Sequence, residues 1–569
     1  MTAAGRRDPA ALEAERFDLA VIGGGISGAC LAWDACLRGL RVALVEQNDF
    51  GWATSSATSK LIHGGLRYLK NGEIGLVRES LRERRILQAI APHLVWPLPF
   101  MIPTYPKGNT KWLIRAGMLA YDTLSFDRNR GMDPDHRMPG HRWLAPAAVL
   151  EAEPAVEREG LTGGAVYYDG QCNPDRLTLE FLLGARALGA VCINYARVGA
   201  AARRAAGELS LAVHDRLDGR ERELSARMVV NTAGPWADRV DHLFGTGEDV
   251  SLVRSKGIHL VTRALCRDHA LVLRTPSGAH LFVIPWRGHS LIGTTDTRYE
   301  GPVSELGVTA ADIEQFLAEI NGAVPDAGLV PDDVLFCYAG VRPLVEQDTQ
   351  VYQASRRYEI VDHHRRGHRG LLSAVGGKYT TSRNLAEKLT DRLLLYLDRP
   401  AVRCLTADRL LPGGMTGRFE DFVQVQLREQ AGRLPPEQLE HLVRTYGARY
   451  NQVLALVGDR PELGEPVAAG RPEILAEVAF AVEREQALTL CDALLRRTGI
   501  GTLGHPGQPA VDRMAGLMAA QLGWGADRIG REKAMFAARV CGAPEHHFER
   551  QQPASAPVDG AADGGSSGA

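Results

Sequence analysis

Several features that would narrow the class of this chain are missing from it. Its nine cysteines include no C-x-x-C pair and give an odd count, so reduced thiols are expected rather than a disulfide frame or a zinc site, and no metal dependence is expected. No uninterrupted run of about 20 apolar residues occurs, which argues against a transmembrane helix. With 66 Lys and Arg against 68 Asp and Glu the formal net charge is −2, so nothing global points to nucleic acid. Met1–Arg16 is charged and alanine-rich, and the apolar run behind it is broken by glycines and by Asp34, unlike a signal peptide. There are no internal repeats. A cytoplasmic protein is expected, and 569 residues exceed one core and imply two or more domains.

What is present begins with a nucleotide-binding pattern. Phe17–Ile22 is a short apolar run of strand formers, followed by Gly23-Gly24-Gly25-Ile26-Ser27-Gly28 and then a helical stretch from Ala29 to Leu37. The G-x-G-x-x-G spacing gives Gly23 to a tight turn, Gly25 to a pyrophosphate approaching the backbone and Gly28 to close helix–strand packing, with the helix N-terminus supplying N–H donors. A second strand, Arg41–Val45, ends at Glu46, close to the interval at which an acid meets a ribose hydroxyl. Two later junctions, Met228–Thr232 into Ala233-Gly234-Pro235-Trp236 and Ser373 to Thr381, read as strand-to-turn corners that converge on one long cofactor. No second fingerprint with strand and helix context follows, which favours FAD over a nicotinamide and makes the substrate the electron donor.

Just beyond this unit, Thr54–Leu69 packs hydroxyls, Lys60, His63, a Gly-Gly pair, Arg67 and Tyr68 into one loop. Hydroxyls and bare backbone N–H groups suit a phosphate or a flavin ring, and the charged side chains supply proton-transfer capacity. A polar connection with a G-G turn is the plainer alternative.

Along the rest of the chain, residues 75–94 look helical, Asp127–Arg142 reads as a loop, residues 160–215 alternate strand and helix patterns, and residues 250–360 are rich in short strands. Lys111–Leu124 mixes Trp112, Leu113, Ile114 and Met118 with Lys111 and Arg115, which suits either a buried core helix or a bilayer interface. From Ala401 onward the apolar spacing is helical. The expected organisation is a flexible stretch 1–16, an oxidoreductase unit 17–400, a helical domain 401–545, and a tail 551–569 too poor in large apolar residues to fold. In class this is α/β: a Rossmann-like FAD-binding domain with a β-rich substrate cap and a C-terminal all-helical domain.

SSATSKLIHGGLRYL, NTAGPWADRV, SKGIHLV, FVIPWRGHSLIGTTD, YAGVRPL, SAVGGK followed by YTT, and LPGGM together resemble the FAD-dependent, aerobic, quinone-linked glycerol-3-phosphate dehydrogenases. The resemblance runs from about residue 17 to about residue 540. It implies oxidation of sn-glycerol 3-phosphate to dihydroxyacetone phosphate, with electrons passing through FAD to a membrane quinone. It also implies a peripheral protein at the inner face of the cytoplasmic membrane, commonly a homodimer. Tyr379 stands where leucine is familiar, and Arg357 where an acid is more usual.

The side chains can be matched to that chemistry. A dianionic phosphate calls for arginine forks and lysines, and Arg67, Arg342, Arg356 and Lys378 are the candidates. Hydride transfer leaves a hydroxyl proton that needs a base; His259 is the first choice, with His63 or solvent linked to Arg342 as alternatives. Arg67 and Arg342 would also stabilise alkoxide character, and Tyr68 and Thr295 would orient hydroxyls. For FAD, Gly23, Gly25, Gly28 and Glu46 hold the ADP part, Thr54, Ser55, Ser59, Lys60 and His63 the pyrophosphate-to-ring region, and Gly234, Gly377, Lys378 and Thr380 the far side. Three other readings stay open: an oxygen-using glycerol-3-phosphate oxidase, an amino-acid or sarcosine-type oxidase, which needs fewer cations, and a flavin-binding assembly protein without turnover.

Overall fold

A computed structural model describes residues 7–204, 207–246, 252–345 and 357–540. Two sheets organise the oxidoreductase part. In the first, strand order runs 358–361, 371–376, 221–231, 17–22, 42–45, 191–193. The four strands from 371–376 through 42–45 are parallel to one another, and 191–193 is parallel to 42–45. Phe17–Ile22 and Val42–Val45 are buried at every position, as a parallel strand covered on both faces must be. Their apolar side chains pack with Leu31 and Trp33 of the helix Ile26–Leu37, Phe181 and Leu182 of the helix Pro174–Ala187, and Leu389 and Leu393 of the helix Ser382–Tyr396.

The second sheet is mostly antiparallel. The long strand Leu252–Thr262 pairs with His289–Gly293 on one side and with Val334–Val345 on the other, and the sheet continues through 280–286, 270–274, 95–104 and 163–172 to Leu61–Ile62. That last pair matters most for the site, because it fixes the middle of the Thr54–Leu69 loop to the second sheet while the chain leading into the loop leaves the first sheet at Val45. The loop therefore lies between the sheets. Two further stitches hold it: Thr54 Oγ1 donates to Val341 O at 2.7 Å, and Tyr338 Oη donates to Thr58 O at 2.6 Å.

Helices Phe419–Glu429, Pro436–Tyr446, Tyr450–Asp459, Leu475–Glu485, Gln508–Leu522 and Ala526–Val540 share a separate apolar core. Buried ion pairs join this core to the cofactor lobe. Asp49 accepts from Arg496 and Arg497 at 2.6–2.8 Å, and Arg176 grips Glu485 through two bonds of 2.6 and 2.9 Å.

Two expectations change. Residues 7–16 are not loose: Ala11–Ala14 is a short helix whose Leu12 is fully buried, and Arg7 donates to Asp215 at 2.8 Å. The apolar anchor and the partnered cation offset the entropy of ordering the segment. The helix Lys111–Leu124 is not core either. It buries only Met118 and Tyr121 and leaves Trp112 76%, Leu113 56% and Leu119 66% exposed. The tail 551–569 lies outside the described residues.

Candidate active site

A cavity of about 1,380 Å³ runs between the two sheets, and most of the residues singled out in the sequence line it. One end is the glycine turn. Gly23 has φ +109°, and a Cβ there would lie 2.7 Å from Thr232 O; a Cβ on Gly28 would lie 2.0 Å from Gly23 O. Those two glycines let strand, turn and helix touch. Gly25 differs: its missing Cβ would meet only Ser55 Oγ, at 3.0 Å, so its backbone faces open cavity. Ser55 Oγ accepts from Ile26 N at 2.9 Å and so sits at the positive end of the helix Ile26–Leu37. Glu46 accepts from Gly24 N at 2.7 Å and from Asn48 N at 2.9 Å, while burial pushes its carboxyl above the ordinary value. Arg197, Gln47 and Trp52, none of them picked out in the sequence, complete this region together with Trp236 of the 233–236 corner. A bare glycine cradle at a helix N-terminus, with an acid at the end of the next strand, fits the pyrophosphate and ribose of a dinucleotide.

The other end carries the reactive side chains. His259 Nε2 and Ser59 Oγ are 2.8 Å apart, and the imidazole stacks on the Tyr338 ring with centroids at 4.9 Å and planes 16° apart. Burial first, then the cations Arg342 and Lys60, hold His259 well below the ordinary histidine value, so it is a neutral imidazole at neutral pH. Arg342 Nη2 donates to Thr294 Oγ1 at 2.8 Å and Nη1 to Ser255 Oγ and Thr295 O, both at 3.3 Å, which fixes the guanidinium against the cavity wall. Thr295 Oγ1 accepts from Ile258 N at 3.1 Å.

Glycines make room for these groups. In the strand pair 252–262/289–293, His259 faces Gly293, where a Cβ would fall 2.1 Å from the imidazole Cδ2. A Cβ on Gly257 would fall 2.3 Å from Arg342 Nη2. Opposite them, Lys378 Nζ lies 3.8 Å from the centroid of Tyr68 and donates to Ser80 Oγ at 3.1 Å, and the Arg67 guanidinium lies 5.1 Å from the same ring. Tyr68 is thus a shared aromatic platform for two cations. His63 N donates to Thr380 Oγ1 at 3.3 Å, and both residues line the cavity with Gly234 and Gly377.

Two residues fall elsewhere. Lys60 is turned out of the large cavity: with φ +57° its side chain points the other way and its Nζ meets Asp175 Oδ2 at 3.5 Å. Gly28 acts beneath the turn rather than at the cavity wall. Arg356 lies outside the described residues. Asp169 is a lining residue that the sequence did not announce. It accepts from Tyr121 Oη at 2.8 Å and from Gly64 N at 3.1 Å, and it pairs with Arg84, tying down the Gly-Gly turn.

Comparison with known proteins agrees with this geometry. Residues 18–383 match the family described as FAD dependent oxidoreductase, and residues 404–529 match the C-terminal domain of alpha-glycerophosphate oxidase. A protein from Synechocystis named glycerol-3-phosphate dehydrogenase is 38% identical over 534 residues, 91% of this chain and 95% of its own length. The chain belongs to the FAD-dependent glycerol-3-phosphate dehydrogenase family. A solved structure of the glycerol-3-phosphate dehydrogenase from Bacillus halodurans, complexed with FAD, is 29% identical and superposes with a TM-score of 0.75, covering 93% of this chain and 95% of that one. A Brucella abortus protein carries another substrate in its name: D-erythritol 1-phosphate dehydrogenase is 35% identical over 491 residues, 85% of this chain and 95% of its own length.

Proposed function

We propose that this chain oxidises sn-glycerol 3-phosphate to dihydroxyacetone phosphate. The observation that carries the reading is the convergence of Arg67, Arg342 and Lys378 with the Ser59–His259 pair on one cavity whose far end is the glycine cradle. Charge-assisted and bidentate bonds both neutralise and orient a phosphate dianion, and three cations exceed what a single carboxylate needs. Gly23, Gly25, Ser55 and Glu46 would hold the ADP part of FAD, with Gly234, Gly377 and Thr380 toward the ring. When bound, FAD supplies the hydride acceptor.

The protein's own part is binding and proton control. Arg342, already braced by Thr294 and Ser255, orients the ester without reorganising. His259 is neutral, and because the Ser59 hydroxyl already occupies its Nε2 at 2.8 Å, the substrate's hydroxyl proton reaches Nε2 by relay, passing to Ser59 Oγ as the Ser59 proton passes to the imidazole. A second substrate reading rests on the Brucella relative: a longer polyol phosphate presents the same phosphate and the same secondary alcohol. Initial rates on glycerol 3-phosphate, D-erythritol 1-phosphate and glycine separate the readings; the proposal requires the first to have the highest kcat/KM and glycine to give none.

For the acceptor, we infer a quinone reached from a membrane surface. Leu113, Ile114 and Met118 of the helix Lys111–Leu124 line the cavity beside Phe100 and Phe282, while the outward face of the same helix shows Trp112 and Leu119 next to Lys111 and Arg115. An aromatic and aliphatic face edged by cations suits a headgroup boundary. Among the described residues no helix is long and apolar enough to cross a membrane. Trp112→Glu with Leu119→Glu should abolish co-sedimentation with anionic vesicles and reduce turnover with a long-chain quinone, leaving turnover with a water-soluble dye intact. Stoichiometric peroxide from glycerol 3-phosphate in air would favour the oxidase reading instead.

A further inference from the structure

Behind the wall that carries His259 lies a second cavity of about 110 Å³, lined by Lys60, Asp175, Trp286, Tyr338, Arg496 and others. Consecutive residues serve the two cavities. Ser59 turns its hydroxyl to His259 at 2.8 Å, whereas Lys60 enters a left-handed conformation, φ +57°, that sends its side chain the opposite way. A side-chain-bearing residue adopts that conformation only where the surroundings hold it there. What holds it is a buried ion pair: Lys60 Nζ is 3.5 Å from Asp175 Oδ2, with the two side chains only 5% and 10% exposed. The ammonium also lies 5.4 Å from the centroid of Trp286 and 5.7 Å from that of Tyr338. Tyr338 is the ring on which His259 stacks. Asp175 Oδ1 and Trp286 Nε1 are buried without a hydrogen-bond partner among the described residues, and the cavity beside them, though lined mostly by apolar side chains, has room for water.

We propose that Lys60, pinned by Asp175, is a positioning residue for proton transfer: its ammonium, set against the Tyr338 ring, keeps His259 uncharged before the reaction and expels the substrate's proton afterwards. The inference rests on His259 being the base. In the oxidation the C–H bond breaks with its electron pair leaving as hydride to FAD, the O–H bond breaks with its proton passing by way of Ser59 Oγ to His259 Nε2, and the carbonyl forms; Lys60 makes and breaks no bond. A cation near an imidazole disfavours its charged form, and among the causes that depress His259 the Lys60 charge follows burial and Arg342. The other titratable or charged groups around the pair are Cys172, Tyr338, Tyr379, Arg496, Arg497 and Arg539, and those facing His259 are Arg342, Tyr338 and Lys60 itself. Among the described residues Asp175 is the carboxylate paired with Lys60, so the two residues should move His259 in opposite directions.

The test is the pH profile of kcat/KM for glycerol 3-phosphate, measured on FAD-replete holoenzyme of Lys60→Met, Lys60→Arg and Asp175→Asn. Removing the ammonium should shift the acid limb upward by about half to one pH unit, a three- to tenfold loss of kcat/KM at pH values below the wild-type limb. Asp175→Asn should shift the limb downward, and Lys60→Arg should leave it in place. A merely structural role would change amplitude without these opposite shifts. If Lys60→Met does not load FAD, the direction of the Asp175→Asn shift decides alone. Superimposable profiles, or both limbs moving the same way, overturn the proposal. The substrate phosphate's own second ionisation, at about pH 6, sets a limb common to all variants; His259→Asn separates the two levels, since a further acid limb that survives it overturns His259 as the base, whereas one abolished by it but unmoved by Lys60→Met overturns this inference only.

Discussion

Gly293 stands across an antiparallel strand pair from His259, at a position where any Cβ would press to within 2.1 Å of the imidazole Cδ2. The imidazole keeps its stack on Tyr338 and its contact with Ser59 only because that space is bare. Gly293→Ala should therefore displace the base while leaving the cofactor cradle untouched. We expect FAD content near wild type and kcat lower by about 100-fold or more, the range a positioned general base supplies. Steady-state kinetics beside a flavin absorbance measurement checks this; wild-type kcat in Gly293→Ala would show that His259 need not sit where it does.

Arg342 touches the same wall from the neighbouring strand, and Gly257 clears its path. If its guanidinium grips the phosphate, Arg342→Ala should raise KM and lower kcat together, because the grip acts on bound substrate and on developing charge alike. Losing one charge-assisted hydrogen bond costs about 1.5–3 kcal/mol, so kcat/KM should fall at least about tenfold. Unchanged KM with full flavin occupancy would remove Arg342 from the phosphate site.

The two kinds of glycine in the fingerprint make separable predictions. Gly25 faces open cavity, with only Ser55 Oγ at 3.0 Å from its missing Cβ, so Gly25→Val should leave a folded apoprotein. A Cβ on Gly28 would lie 2.0 Å from Gly23 O, in the packing of helix on strand, so Gly28→Ala should lower Tm as well as flavin content. Thermal melts with flavin quantitation distinguish them, and equal melting temperatures would contradict the assignment.

Asp49 is the joint between cofactor lobe and helical domain. Burial alone would raise its pKa, but Arg497 and Arg496 overcome this and hold it at about 2, below its usual 3.8. A carboxylate depressed in the folded state contributes stability above its unfolded value and loses it as pH falls through 3.8 toward 2. Asp49→Asn leaves two buried guanidinium groups short of their counter-ion and should cost roughly 3–5 kcal/mol at neutral pH. The difference in Tm from wild type should shrink below about pH 4. A difference independent of pH would assign the loss to packing rather than charge.

Much of this was legible in the sequence because it depends on local geometry. The strand, the glycine turn, the helix and Glu46 follow from spacing alone, and the hydroxyl-rich loop at 54–69 does line the cavity. What escaped depends on pairing between distant segments. Gly257 and Gly293 look like ordinary strand glycines until register sets them beside Arg342 and His259. Asp169 gains its place from Arg84 and Tyr121, 85 and 48 residues away in the chain. Lys60 shares its loop with Ser59 and Arg67, yet one left-handed residue sends it to a different cavity. The helix Lys111–Leu124 shows an apolar face in sequence, but spacing cannot say whether protein covers that face, and here it is left exposed.

The central claim is that glycerol 3-phosphate bound by Arg67, Arg342 and Lys378 delivers its hydride to FAD in this cavity while His259 takes the proton. Mixing purified holoenzyme with glycerol 3-phosphate in the absence of oxygen and following the flavin absorbance tests it most directly. Full bleaching, one dihydroxyacetone phosphate formed per flavin, is the predicted result. A yellow enzyme that stays oxidised at saturating glycerol 3-phosphate would contradict the account.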